Sequence, residues 1–177
     1  MLSRRHLLAS AAAAGVVAGL PARGLAQPLI ASGFIAQVDP MIGTGGHGHV
    51  FPGASVPYGM VQLSPDTDNA RWDACSGYYH DDTTVLGFSH THLSGTGGID
   101  MMDLLVVPGT GPVILNPGTR LAPENSYRKP MHHDQETATP GYYSIHLPDS
   151  GIHAELTAST RAGKPATTPA AAAEARR

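Results

Sequence analysis

The feature that most constrains this chain is the density of glycine and proline in VDPMIGTGGHGHVFPGASVPYGMVQLSPDT, Val38 to Thr67. Glycine loses the most conformational freedom on ordering, and proline removes a backbone donor, so neither suits a helix interior. No long helix fits this stretch, whereas short extended pieces between turns do. Across the whole chain, 21 glycines and 15 prolines in 177 residues favour a loop-rich β protein over a helical bundle.

Apolar periodicity marks where the strands should lie. Met60-Val61-Gln62-Leu63 alternates, and Pro57, Gly59 and Pro65 mark the turns around it. Val85 to His90 reads as a second strand. Asp103 to Val107 is a compact apolar run stopped by Pro108-Gly109 and reads as a third, buried strand, with Val113 to Leu115 as a fourth. Tyr143, Ile145 and Leu147 alternate with Ser144 and His146, the pattern of a half-buried strand. Ile152 to Thr157 repeats that pattern after Asp149, Ser150 and Gly151, so the two runs predict a β-hairpin. The expected fold is all-β, an antiparallel β-sandwich with long functional loops between its early strands.

The two ends differ from this middle. Residues 1–26 read as an export signal: Arg4-Arg5 opens an apolar, alanine-rich run to Leu20, and Gly24-Leu25-Ala26 offers small residues for a signal peptidase. The paired arginines resemble a bacterial twin-arginine signal, which implies a periplasmic or secreted protein. Nothing later is long and apolar enough to span a membrane. Residues 27–163 form the expected domain. Residues 164–177, KPATTPAAAAEARR, have no apolar period and are expected to be a disordered, low-complexity tail.

Composition excludes several functions. The formal net charge is −3 with 11 Lys+Arg and no basic stripe, so nucleic-acid binding by phosphate neutralisation is not expected. Cys75 is the single cysteine, which rules out an intrachain disulfide and a cysteine-based zinc site.

The motif FSHTHLSGTGGID, Phe88 to Asp100, admits four readings. His90-x-His92, with His47-x-His49 and His132-His133-Asp134 elsewhere, supplies zinc-type ligands, but no spacing joins the three clusters into one site. The glycines lack the Gly-Lys-Ser/Thr ending of a phosphate loop. Ser89 and Ser94 flank the histidines without a Gly-x-Ser-x-Gly elbow. The fourth reading is carbohydrate. RWDACSGYYHDD, Arg71 to Asp82, places the only tryptophan, Trp72, beside Asp73, with Tyr78 and Tyr79 following. Trp72 can stack on the apolar face of a sugar ring or plug a core, and Asp73 can accept hydrogen bonds from vicinal hydroxyls.

At these residues a family resemblance enters. VDPMIGTGGHGHVFPGASVPYGMVQLSPDT, WDACSGYYHDDTTVLGFSHTHLSGTG and PGYYSIHLPDSGIHAELTASTRAG together resemble the N-terminal domain of glycoside hydrolase family 92, from about Val38 to Gly163. The resemblance implies a bacterial exo-α-mannosidase, calcium-dependent and inverting, in which an N-terminal β-sandwich pairs with a C-terminal (α/α)6 barrel. It places both catalytic carboxylates and the calcium in the barrel, so this chain is expected to hold no catalytic residue and no metal, and to be inactive alone. Its expected partner is a mannose-containing glycan, contacted by Trp72, Asp73, His92, Gly97, Gly98 and Asp100. The family usually reads Gly-Cys-Gly-Asp where this chain has Gly97-Gly98-Ile99-Asp100. The change into the low-complexity tail is expected to mark a truncated copy. A stand-alone mannose-binding module and a histidine-based metallohydrolase are the competing readings.

Overall fold

The computed structural model describes residues 33–68, 70–98 and 102–169. The export-signal reading of residues 1–26 lies outside them. Among the described residues there are nine strands, all paired antiparallel: β1 Ala54–Ser55, β2 Gln62–Asp66, β3 Thr84–Val85, β4 Gly87–Ser89, β5 Lys129–Pro130, β6 Glu136–Thr139, β7 Tyr142–Leu147, β8 Ile152–Ala158 and β9 Gly163–Pro169. Helical geometry there is confined to short 3-10 turns, the longest being Gly33–Gln37. None of these helices is long and apolar enough to cross a membrane. The all-β expectation is therefore met.

The strands form sheets β1-β2-β4, β3-β5 and β6-β7-β8-β9. The four-stranded sheet is the regular part. Pro140 and Gly141 join β6 to β7, and Gly141 has φ 78°, so the pair suits the central positions of a type II turn. The predicted hairpin is β7–β8, in register from Tyr142 opposite Thr157 to Leu147 opposite Ile152. Its connection is the turn Pro148–Ser150 closed by Gly151 in the left-handed region at φ 59°.

The core lies where β1 and β2 meet β7 and β8. Alternation sends Tyr143, Ile145 and Leu147 of β7, and Ile152, Ala154 and Leu156 of β8, to the same side. They pack with Ala54, Leu63, Tyr78, Val85, Phe88 and Met131 into one cluster. Each fully buried Leu, Ile, Val or Phe in such a cluster contributes about 1.5–3 kcal/mol relative to exposure.

Three sequence expectations need correction. Asp103 to Val107 is not a buried strand. Met102 and Leu104 have φ 46° and 53°, which breaks the extended path, and Leu104 is 71% exposed. Its ladder pairing with the sheet is limited to the isolated bridge from Val106 to Phe88, with Leu105 and Val107 lying against Gly87. Val113 to Leu115 forms no strand and is largely exposed. The third correction concerns the tail. Residues 163–169 are strand β9, in register with β8 from Ala158 opposite Gly163 to Ile152 opposite Pro169. β9 buries no side chain fully. Order comes instead from main-chain pairing, which needs no apolar period. Pro165 and Pro169 are compatible with it because β9 pairs on one side only, and proline is accepted on edge strands. Residues 170–177 of the expected tail lie outside the described residues.

Candidate functional site

Three loops converge at one junction. The first is Gly43 to His49. Gly48 is required there: a Cβ would lie 2.1 Å from the carbonyl oxygen of Gly43. The tight turn leaves His49 with φ 51°, a conformation that L residues adopt sparingly. The second loop is Arg71 to Gly77, with a 3-10 turn at Trp72–Ala74. The third is Leu93 to Gly98.

Specific contacts fasten the loops together. Gly95 N–H donates to the His49 carbonyl at 2.8 Å. The buried Cys75 thiol donates to the Thr96 carbonyl at 2.8 Å. The lone cysteine therefore bridges the second and third loops.

Trp72 stands at the junction and is 56% exposed. The His49 ring meets it edge-on, with centroids 4.1 Å apart, and the His47 ring lies tilted at 5.7 Å. Gly97 passes close to the indole nitrogen, where an added Cβ would sit 3.4 Å away. Asp73 places Oδ1 2.5 Å from His47 Nδ1 and 3.9 Å from His49 Nε2. One junction thus offers an exposed aromatic face, a carboxylate and two imidazoles.

The base of the second loop is braced by charge. Arg71 donates from Nε to Asp68 Oδ2 and from Nη2 to Asp82, each at 2.6 Å, while its guanidinium lies 4.6 Å over the Tyr79 ring. Burial works to lower the Arg71 pKa, but the Asp68 hydrogen bond and the charges of Asp82 and Asp68 outweigh it and raise the value. Burial raises the Asp82 carboxyl, against the Thr67 hydrogen bond and Arg71, which pull it down. Arg128 reaches the Thr67 carbonyl and Thr84 Oγ1 nearby, and burial lowers its pKa.

A second buried carboxylate ties the loop to the large sheet. Glu136 of β6 accepts from the Tyr78 hydroxyl at 3.0 Å and from the Tyr143 hydroxyl at 2.5 Å, and His133 Nδ1 lies 2.5 Å away. Burial, followed by the Glu136 charge, raises both tyrosine pKa values, so the hydroxyls remain donors at physiological pH. Although it has the look of an acid–base cluster, Glu136 is enclosed, and its donors make it a cross-brace. No spacing in the sequence marks it, because its members come from separate elements.

The expected site residues divide accordingly. Trp72, Asp73 and Gly97 come together. Gly98 is exposed at the rim, with nothing within 4 Å of an added Cβ, so crowding does not forbid the cysteine usual in the resembled family. Asp100 lies outside the described residues. His92 is corrected: it is 1% exposed and cannot meet a ligand from there. Its Nδ1–H donates to the Gln62 carbonyl at 2.8 Å, and Nε2 faces Asp66 Oδ1 at 3.0 Å. His90 places Nδ1 3.1 Å from the Leu104 carbonyl oxygen. Both histidines hold the loop in place. Missed in the site reading were His47 and His49, visible as an x-spaced pair but not as neighbours of Trp72.

Fold and site define an all-β domain with an exposed aromatic, imidazole-flanked wall. Residues 37–174 match the family model described as the glycosyl hydrolase family 92 N-terminal domain, and the chain belongs to that family. The match reaches past Gly163, so the family likeness includes β9. An "uncharacterized secreted glycosidase" of Arthroderma benhamiae is 36% identical over 131 residues, covering 72% of this chain and 16% of the relative. The GH92 α-mannosidase of Bacteroides thetaiotaomicron, solved with mannoimidazole, shares 47% identity at TM-score 0.74, over 77% of this chain and 18% of that one. A solved GH92 family glycosyl hydrolase, ccman5, shares 34% identity at TM-score 0.65, over 77% of this chain and 19% of that one. This chain therefore spans under a fifth of the length of these relatives.

Proposed function

We propose that this chain is the substrate-shaping N-terminal domain of a secreted, calcium-dependent, inverting α-mannosidase acting on terminal α-mannosides of glycans. The carrying observation is the 56% exposure of Trp72 at a junction whose other parts are tightly braced. A large apolar face held open in a rigid polar setting suits the C–H face of a sugar ring, with Asp73 beside it to accept from ring hydroxyls. The relatives' descriptions as a secreted glycosidase and an α-mannosidase support the secreted α-mannosidase part of the reading, while calcium dependence and inversion rest on the family resemblance.

Hydrolysis belongs elsewhere in such an enzyme. An inverting glycosidase needs a general acid and a separate general base on opposite faces of the sugar. Among the described residues the carboxylate at the Trp72 junction is Asp73, and His47 engages it. Asp66, Asp82 and Glu136 are enclosed in networks of their own. Calcium also fits poorly here. It takes six to eight oxygen ligands, whereas the one metal-capable group of three among the described residues has two imidazoles and one carboxylate. No step of the reaction is assigned to calcium in this domain. The (α/α)6 barrel of the resemblance would supply the carboxylates and the calcium.

The test is saturation-transfer NMR and calorimetry of the chain with mannose and α-1,2-mannobiose, alongside a hydrolysis assay. The expected result is weak, millimolar sugar contact that Trp72→Ala abolishes, without turnover. Turnover by this chain alone, absence of any sugar contact, or contact unchanged in Trp72→Ala would each overturn the reading. Micromolar binding lost in Trp72→Ala would instead identify a stand-alone mannose-binding module.

A further inference from the structure

We propose that His47, His49 and Asp73 form a binding site for a divalent transition-metal cation of the zinc class. In sequence the His47-x-His49 pair has no third ligand. The fold supplies one by laying the Trp72–Ala74 turn against the glycine-rich loop. One ligand atom from each of the three residues lies within 4.8 Å of the others. Asp73 Oδ1 is 2.5 Å from His47 Nδ1 and 3.9 Å from His49 Nε2. A tetrahedral zinc with bonds near 2.0–2.1 Å holds its donors about 3.3 Å apart. These separations bracket that value, so small side-chain rotations around a cation complete the geometry.

The second, independent observation is His49 itself. Its side chain is 7% exposed, and Nε2 is buried with no hydrogen-bond partner, Asp73 Oδ1 lying 3.9 Å away. A buried imidazole nitrogen is normally satisfied. The position of this ring is fixed from three sides. Its backbone is held at φ 51°, its carbonyl accepts from Gly95, and its ring abuts Trp72. The unsatisfied nitrogen is therefore an imposed feature of the loop, and a cation would satisfy it.

The remaining ligands suit closure. The His47 side chain is 77% exposed and Asp73 is 36% exposed, so both have room to turn once the bond between them is given up. Binding would replace the His47–Asp73 hydrogen bond and displace any proton on the ligating nitrogens. Two imidazoles and one carboxylate select zinc, cobalt, nickel or copper over calcium and magnesium, which prefer oxygen cages. Three protein ligands leave a coordination position open on the solvent side, beside Trp72. The proposal does not rest on the mannoside reading, because it concerns binding of the metal alone.

The test uses the full chain made without a histidine tag. Zinc is titrated by calorimetry, cobalt by visible absorption, and copper by quenching of Trp72, the only tryptophan. The expected result is one saturable equivalent, tetrahedral cobalt bands, and quenching that saturates at that equivalent. His47→Ala and Asp73→Asn should each weaken zinc by roughly tenfold or more, whereas His132→Ala should leave it unchanged. His47 is exposed, so His47→Ala keeps the test valid should His49→Ala fail to fold. Absence of saturable zinc binding, or binding unchanged in His47→Ala and Asp73→Asn, would overturn the site. Sugar contact at Trp72 in metal-free protein is read separately, so the two proposals can fail independently.

Discussion

The β6–β9 sheet and the three-loop junction around Trp72 are built on opposite principles. The sheet repeats one rule: every second side chain of β7 and β8 turns inward, and main-chain pairing runs unbroken through the register. The junction repeats nothing. It depends on a glycine with no room for a Cβ, a histidine in the left-handed region, a thiol on a carbonyl, and an arginine clamped by two aspartates. Stability is therefore concentrated in the periodic half and chemical capacity in the aperiodic half. Glu136 on β6, reaching Tyr78 directly after the second loop, is the strut between them.

Substitutions can break this contrast. The largest effect is expected at the centre of the sheet. Ile145 is fully buried, and Ile145→Ala should lower unfolding stability by about 2–5 kcal/mol in denaturant melts. A loss under ~1 kcal/mol would show that the sheet is not where stability resides. Next is the strut. Glu136→Gln keeps the shape but replaces the common acceptor of two tyrosine hydroxyls and His133 with an amide, and should cost about 1–3 kcal/mol. Amide exchange in that variant should quicken in the second loop as well as in β6. Trp72→Ala should change stability by no more than about 0.5 kcal/mol while removing sugar contact, because the indole is mostly exposed.

The smallest effect is a slope with pH. Burial raises the Asp82 carboxyl above its ordinary 3.8. A raised carboxyl binds its proton more readily when folded, so its contribution is fully present below 3.8 and is lost as pH rises through the folded value. The stability difference between the native chain and Asp82→Asn should favour the native chain most at the acid end and shrink as pH rises through that window. A difference that grows with pH would show that the Arg71 pair outweighs burial.

The same contrast explains what the sequence made legible. The β7–β8 hairpin was readable because burial on one face writes a period of two into the residues. β9 was not, since Lys164 to Pro169 pairs with β8 through the main chain and buries no side chain fully. Asp103 to Val107 misled for the opposite reason: it has strand-like composition, but left-handed φ values at Met102 and Leu104 turn it out of the sheet. At the junction, residue type alone pointed to Trp72 and Asp73. His92 carried the same chemical promise as His49, and only the three-dimensional packing separates them. One is sealed beneath the loop with both nitrogens facing oxygens, and the other has a nitrogen without a partner. The meeting of His47, His49 and Asp73 depends on contacts such as Gly95 to His49, which leave no periodic trace.

The Cys75–Thr96 contact gives the junction its own clock. The chain has one thiol, it is wholly enclosed, and the loops must part before a reagent can reach it. The rate at which a disulfide reagent consumes that thiol counts the openings of the wall beside Trp72 one molecule at a time, without a label and without disturbing the face that meets the ligand.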